Sequence, residues 1–430
     1  MNRTHETTEW SGSRKFLFRL AFCLLVLTSL LEGHGTAFSA IPLFGSTVAG
    51  WFRTPFDSIT IWVGVHVFHL TGRAATIHGV TGDRALAWVA LLLALITSVI
   101  AAAAWSVLDR RRSDYRELLL WFRLGLSLTL GLALLPFAWI KVFPIQFPSP
   151  PIALLNEPVG NASPTLLFWS LYGLHPVFEM ALGWMEVLAA VLLLFRRTAF
   201  LGAVFAFAVM ANVVLLDLTF DVPVKLWSLT MLAMATALLI PEAKWLSSFF
   251  LNRSALPRRP QWAPQPKTTR GKHIALSAEI LLVLLVCGNC AWGTWTVFRM
   301  KLDSLKNPPS FAGEWKVEGY SGIKGPDGQI ITTLFFDPNS DMMLRNEQGT
   351  MWRSRAVYDH QTNVLRVLWE AGGFMMFTVD QRSTNDLVLI PTGITASRMR
   401  PITLTRVPLP ASYPLLERQF HWVNDFEPLR

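Results

Sequence analysis

Apolar runs of about twenty residues recur along roughly the first three hundred positions of the chain, and no soluble fold needs so many of them. Crossing about 30 Å of hydrocarbon at about 1.5 Å per residue takes a run of that length. Seven segments meet or approach it: Phe16 to Leu31, Ala85 to Val107, Leu118 to Ile140, Pro176 to Phe195, Ala199 to Leu218, Lys225 to Ile240 and Ile274 to Val297. Only 16% of residues are charged and 52% are hydrophobic, against about a quarter charged in an average soluble domain. The first run follows Arg14 and Lys15 and has a second reading as a signal peptide with a cleavage site near Ala37-Phe38-Ser39; its length favours a retained anchor. The net charge of +9 comes from Lys and Arg placed between apolar runs. That placement reads as topology rather than as a nucleic-acid face.

Positive charge is retained on the cytoplasmic side. Arg110, Arg111, Arg112 and Arg116 fall in one connection, Arg196 and Arg197 in another, and Lys244, Arg253, Arg258, Arg259, Lys267, Arg270 and Lys272 in a third. Alternation then puts the N-terminus in the cytoplasm and the C-terminus outside. Arg19 and Arg123 lie just inside apolar runs, where long stems can snorkel to headgroups. The outer connections hold two apolar stretches too short to span, Ser58 to Leu70 and Leu166 to Leu174, expected as interfacial or re-entrant helices. Leu256 to Lys267 carries Pro257, Pro260, Pro264 and Pro266 and reads as an extended linker.

After Arg299 the hydrophobic period changes to two. Glu314 to Glu318, Thr333 to Phe336, Trp352 to Tyr358, Val364 to Trp369, Phe374 to Val379, Leu387 to Ile390 and Ile402 to Val407 are predicted strands, separated by turn sequences such as Asp359-His360-Gln361-Thr362-Asn363. The predicted fold is a mainly α-helical polytopic membrane protein of about seven transmembrane helices with a small antiparallel all-β C-terminal domain, barrel or sandwich. The corresponding segments are a cytoplasmic tail (1–15), a six-helix domain (16–250), a linker (251–273), a seventh helix (274–299) and an extracytoplasmic β-rich domain (300–430).

Ionisable side chains within a span default to functional hypotheses, because each is costly unless paired or hydrated. Glu179, Gly183 and Glu186 follow i, i+4, i+7 spacing, so one helix face carries both carboxylates, with Glu186 about 15 Å deep. That face reads either as a proton-carrying or substrate-gripping surface, or as packing in which Glu186 hydrogen-bonds Asn212. Asp221 is expected to N-cap a helix that Pro223 helps start, with Lys225 one turn on. Lys141 and His175 complete a candidate polar outer mouth, each alone also serving as an interface anchor. Among His34, His66, His69, His78 and His175 only His66 and His69 are closely spaced, with no acidic or cysteine cluster to complete a metal site. Cys287 and Cys290 have C-x-x-C spacing: a redox dithiol, or, as the favoured reading, small residues that permit helix packing.

Residues Lys141-Val142-Phe143-Pro144-Ile145-Gln146-Phe147-Pro148, Gly183-Trp184-Met185-Glu186-Val187, Leu192 to Arg197, Asn212 to Asp217 and Asp221 to Leu226 resemble the DoxX family of bacterial membrane proteins, over 141–253. The typical motif has two glycines after its Glu-Val; here Leu188 and Ala189 stand there, and the β-domain marks a larger subtype. The resemblance implies a bacterial cytoplasmic (inner) membrane location and, from members linked to quinone-coupled sulfur oxidation or redox-stress complexes, a quinone as candidate cofactor. Two functions follow as expectations. One is a quinone- or small-amphiphile-binding subunit of a membrane redox complex, non-catalytic or a quinone-linked oxidoreductase subunit, with its polar pocket at Glu179, Glu186, Asn212, Asp221 and Lys225. The other is an envelope assembly or sensing scaffold whose β-domain binds a partner, or a hydrophobic ligand between Trp315, Trp352 and Trp369. Both make the bilayer and other envelope subunits the partners, and neither involves nucleic acid. Transport is unsupported by any internal repeat.

Overall fold

The computed structural model describes residues 9–31, 45–75, 83–251, 261–319, 323–325, 328–338, 341–369, 373–397 and 399–417. In chain order its helices are α1 (Gly12–Leu31), α2 (Gly45–His66), α3 (Ala85–Leu108), α4 (Arg116–Val142), α5 (Ile152–Leu155), α6 (Pro164–Gly173), α7 (Pro176–Leu194), α8 (Ala199–Thr219), α9 (Lys225–Leu239), α10 (Ala243–Phe250) and α11 (Thr269–Lys306). The strands are β1 (Gly313–Val317), β2 (Ile331–Phe336), β3 (Asp341–Asn346), β4 (Met351–Asp359), β5 (Val364–Trp369), β6 (Gly373–Gln381), β7 (Asp386–Pro391) and β8 (Ile402–Arg406). Two compact units result, Met1–Gln146 with Val177–Thr296 and Phe147–Pro176 with Val297–Arg430.

In the helical unit, six helices among the described residues are long and apolar enough to cross a membrane: α3, α4, α7, α8, the run Lys225–Phe250 and α11. Helix α1 is continuous but carries Arg14, Lys15 and Arg19 and is not among the six. The cleavage motif proposed near Ala37 lies outside the described residues. Helix α4 is the central element, with Leu130, Leu134, Leu135 and Ala138 fully buried. Pro136 lies inside α4, as neighbouring helices allow in membrane bundles. Helix α2 is longer than the interfacial stretch expected from Ser58 and contains Pro55.

Neither inner arginine snorkels. Arg19 donates to Tyr115 Oη at 2.6 and 3.0 Å, to Ser106 Oγ at 2.7 Å and to Asp109 O at 3.1 Å, tying α1 to the α3–α4 connection. Arg123 Nη2 donates to Glu242 Oε1 at 2.6 Å with both side chains buried. The guanidinium also lies 3.9 Å from the ring centroid of Trp262, in range of a cation–π contact. Trp262 and Ala263 are buried in the helical core, so the end of the proline-rich stretch is docked rather than free. Buried partners beat snorkelling here because Glu242 neutralises the cation without a route to water.

The second unit contains an eight-stranded antiparallel barrel in sequential order, with β8 pairing back onto β1 from Trp315↔Arg406 to Val317↔Leu404. Inward positions form cross-strand rows such as Trp315, Leu334, Leu344 and Trp352, and Val317, Leu404 and Leu387. These side chains fill the interior together with Phe311, whose carbonyl accepts from Trp315 Nε1 at 2.7 Å. Trp315 is core and Trp352 packs beside it; the side chain of Trp369 lies outside the described residues. An interior packed in this way has the side-chain filling of a small barrel rather than a ligand chamber.

The stretch between α4 and α7 belongs to this unit, whereas the sequence reading grouped it with the helices. Ile152, Ala153 and Leu166 pack on Phe335, Met343 and Met351, whose row lies on the barrel's outer side. Polar contacts fix the register: Ile152 N donates to Asp337 Oδ1 at 2.8 Å, Asn156 Nδ2 to Glu314 Oε2 at 3.2 Å and Tyr413 Oη to Asn156 Oδ1 at 2.8 Å, while Arg345 pairs with Glu157 and Glu314.

Trp315→Ala removes the largest fully buried side chain and is expected to destabilise the barrel by about 3–5 kcal/mol, read as a fall in its thermal midpoint. In the β4–β5 turn, where Asn363 has φ 57°, the Asp359 carboxyl is held below its ordinary range by the Thr362 hydroxyl and then by the Gln361 amide. A depressed carboxylate contributes stability above its unfolded pKa that is lost as pH falls through the folded value. Asp359→Asn is therefore expected to flatten the acid limb of barrel stability below about pH 4, measured by thermal melts across pH.

Candidate functional site

Glu179, Gly183 and Glu186 do share one face of α7, and that face is pressed on α4. A Cβ at Gly183 would lie 2.5 Å from Val142 N and 2.8 Å from Ala138 O, so only glycine allows this approach without a backbone shift. One turn above, Glu179 Oε1 accepts from Gln146 N at 2.9 Å, satisfying an amide just past the end of α4. One turn below, Glu186 Oε2 pairs with Lys141 Nζ at 2.8 Å, the side chains 5% and 9% exposed. Lys141 and Glu186 thus meet each other, not the headgroups and not Asn212.

Asn212 is exposed. Its depth along α8 was suited to Glu186, but it lies five residues from buried Asp217, about 140° round the helix at 3.6 residues per turn, and faces outward. Asp221 is not the cap of α9 either. It sits at φ 53° in the turn after α8, exposed, and accepts from Lys225 Nζ at 2.6 Å. The first amides of α9 are taken by Asp83, from a connection 142 residues earlier: Lys225 N donates at 2.7 Å and Leu226 N at 3.0 Å. Lys225 Nζ is also 3.8 Å from Asp83 Oδ2.

Asp217, in the last turn of α8, is the residue that links these pairs. It is 5% exposed, has the Ser228 hydroxyl as a hydrogen-bond neighbour, and lies within the electrostatic reach of Asp83, Lys141 and Lys225. Its Oδ2 has no partner among the described residues, nor has the buried indole Nε1 of Trp227, next to Ser228 in sequence. The ends of α4 and α8, the start of α9 and the middle of α7 therefore carry a set in which Lys141 and Lys225 face the carboxylates of Asp83, Glu186 and Asp217, with exposed Asp221 pairing Lys225 at the rim. Such a set can hold a polar headgroup or a proton.

The remaining candidates stand apart. His175 is exposed and belongs to the barrel-containing unit. Cys287 and Cys290 are free thiols on α11, half-buried against the helical core. His66 stacks on Trp62 at 5.0 Å and shares a hydrogen bond with its carbonyl, and no metal-ligand cluster occurs among the described residues; His34 and His78 lie outside them. Sequence reasoning missed Asp83, Ser228 and Glu242 as partners. Asp217 was legible as a carboxylate inside the span Ala199 to Leu218.

Glu186→Gln leaves Lys141 charged and buried, and the detergent-solubilised protein is expected to lose about 3–5 kcal/mol. The double variant Glu186→Leu with Lys141→Met is expected to recover most of that loss, as read from thermal aggregation midpoints. Gly183→Ala is expected to lower the midpoint as well, because its Cβ meets α4 backbone rather than a side chain that can rotate away.

No family model matches the chain, and no solved structure matches it. The chain is similar to the uncharacterised protein YwoB of Bacillus subtilis (strain 168), with 42% identity over 82 residues, 19% of this chain and 53% of that protein. The matched region thus spans about half the length of that relative.

Proposed function

We propose that the chain is a DoxX-like multi-pass protein of the bacterial inner membrane that binds a quinone, or another small amphiphile of that kind, where α4, α7, α8 and α9 gather Lys141, Glu186, Asp217 and Lys225. In this reading α1 is a seventh span, the N-terminus is cytoplasmic, and the barrel is extracytoplasmic. The alternation of Arg-rich connections supports that orientation, and the apolar helices support the location.

The observation that carries the reading is a buried acceptor at the site that has no hydrogen-bond partner among the described residues, Asp217 Oδ2. Such an atom costs about 1–3 kcal/mol if left unsatisfied. A quinol hydroxyl donates to a carboxylate, so that headgroup chemistry suits Asp217 Oδ2. The Lys141–Glu186 pair fixes the α4–α7 wall of the site, and electron transfer, where it occurs, belongs to a larger envelope complex.

The test is lipid-soluble extraction of the protein purified in native nanodiscs, with quinone measured by mass spectrometry. Quinone is expected to co-purify with the wild type and to fall at least tenfold in Asp217→Asn. Wild-type protein free of quinone, with no labelling by a photoreactive quinone, would overturn the reading.

A second reading gives the barrel the leading role, as a surface for an envelope partner. The filled interior favours its outer face, where Val357, Leu368 and Phe374 are exposed. Truncation after Met300 separates the two: a phenotype that follows the barrel and ignores Asp217 supports this one.

A further inference from the structure

The corner where α1 meets the turn between α3 and α4 gathers cations that the site among the helices does not use. Lys15 Nζ on α1 donates to Arg112 O at 3.1 Å, and Trp10 N donates to Ser113 O at 3.1 Å, so the start of α1 is laced to that connection. The four hydrogen bonds of Arg19, together with the 2.8 Å bond from Tyr115 Oη to Asp109 Oδ2, pin the same corner from inside. Residues 9–19 and 109–117 carry seven cations against four carboxylates, those of Glu9, Asp109, Asp114 and Glu117. The corner is therefore positive, and its backbone is fixed.

The carboxylates leave particular cations over. Arg112 lies 3.8 Å from Asp109 and Arg116 3.5 Å from Asp114, whereas Arg110 and Arg111 are exposed and have no partner among the described residues. Arg14 rests over the ring of Trp10, 4.3 Å from its centroid, and that ring is buried edge-on against Phe18 and Tyr115. Apolar side chains flank these cations. Val107 and Leu108, the last two residues of α3, are 56% and 86% exposed, and Leu17, one turn on from Arg14, is 63% exposed. A nucleic acid would cover the arginines and leave these side chains in water. A molecule with an anionic head on an apolar tail covers both, and α3 is itself long and apolar enough to cross a membrane.

We infer that this corner retains one anionic phospholipid, its phosphate on Arg110 and Arg111 with Arg14 beside them, and its acyl chains along Val107, Leu108 and Leu17. A guanidinium meets a phosphate in two parallel hydrogen bonds, which holds the headgroup in one place rather than merely near the surface. A zwitterionic lipid brings its own cation to a corner that is already positive and is disfavoured there. The inference rests on the membrane location proposed above and is independent of the quinone.

The test is native mass spectrometry of the full-length protein released from detergent, after delipidation and titration with phosphatidylglycerol or with phosphatidylcholine of the same acyl chains. An adduct of one phosphatidylglycerol per chain is expected, at least about fivefold stronger than the phosphatidylcholine adduct. Arg110→Gln with Arg111→Gln is expected to weaken it at least about fivefold, and Leu108→Ser to weaken it as well. Arg270→Gln with Lys272→Gln removes the same charge from the exposed start of α11 and is expected to leave the affinity within about twofold. The thermal midpoint of each variant checks that the helical unit is intact. The inference is overturned by wild-type protein with no preference for phosphatidylglycerol, by two double variants that lose affinity equally, or by glycerol 3-phosphate that displaces the lipid at equal concentration. Failure of the membrane location itself reads differently, as protein that stays soluble without detergent.

Discussion

The approach of α7 to α4 at Gly183 sets the geometry of the whole polar end of the helical unit. With no side chain between them, the two backbones come close enough for Lys141 on α4 to reach Glu186 on α7 and for Glu179 to take the amide of Gln146. Separate the helices by the width of one methyl group and the lysine loses its counter-charge where water cannot replace it. The same pair fixes the ammonium whose field acts on Asp217 from the α4 side, while Lys225 acts from α9. A steric fact about one residue therefore becomes an electrostatic fact about four helices.

The opposite end of the helical unit is closed by a comparable device. Arg123, Glu242 and Trp262 form a buried stack in which α4, the turn after α9 and the docked end of the proline-rich stretch each supply one member. Both ends thus rely on α4, whose middle is the apolar core and whose two ends each hold a buried cation. Helix α11, buried only at Val286 and Thr294, contributes less to this packing.

Much of this architecture was legible because span length, charge asymmetry and strand alternation are one-dimensional signals. Helices α3, α4, α7 and α8 fall close to their expected limits, as do the strands other than β3, whereas the run Lys225–Phe250 extends ten residues past Ile240 and α11 nine past Val297. Strand β3 was missed because Met342, Met343 and Leu344 form a continuous buried run: its inner face fills the barrel and its outer face is covered by α5 and α6, so there is no alternation to detect. Asn212 was misplaced for a related reason. Depth along a helix can be counted from its end, whereas the direction a side chain faces depends on which neighbours surround it. Asp83 and Glu242 were illegible as partners because the groups they hold are over a hundred residues away in sequence, at Lys225 and Arg123. Gly183, by contrast, was readable as part of a shared face, although its role as the contact point required the position of α4.

The seam between the α5–α6 stretch and the barrel has a consequence in time. Ile152 takes its capping partner, Asp337, from a residue 185 positions later in the chain, and Glu157 meets Arg345 across 188. At about 5–20 residues per second, synthesis brings those partners into existence roughly ten to forty seconds after Ile152 and Leu166 emerge. During that interval an apolar stretch made to rest on a barrel has no barrel to rest on. Whatever shelters it must release it again for β2 and β3, so the last domain to be made decides when an early loop is finished.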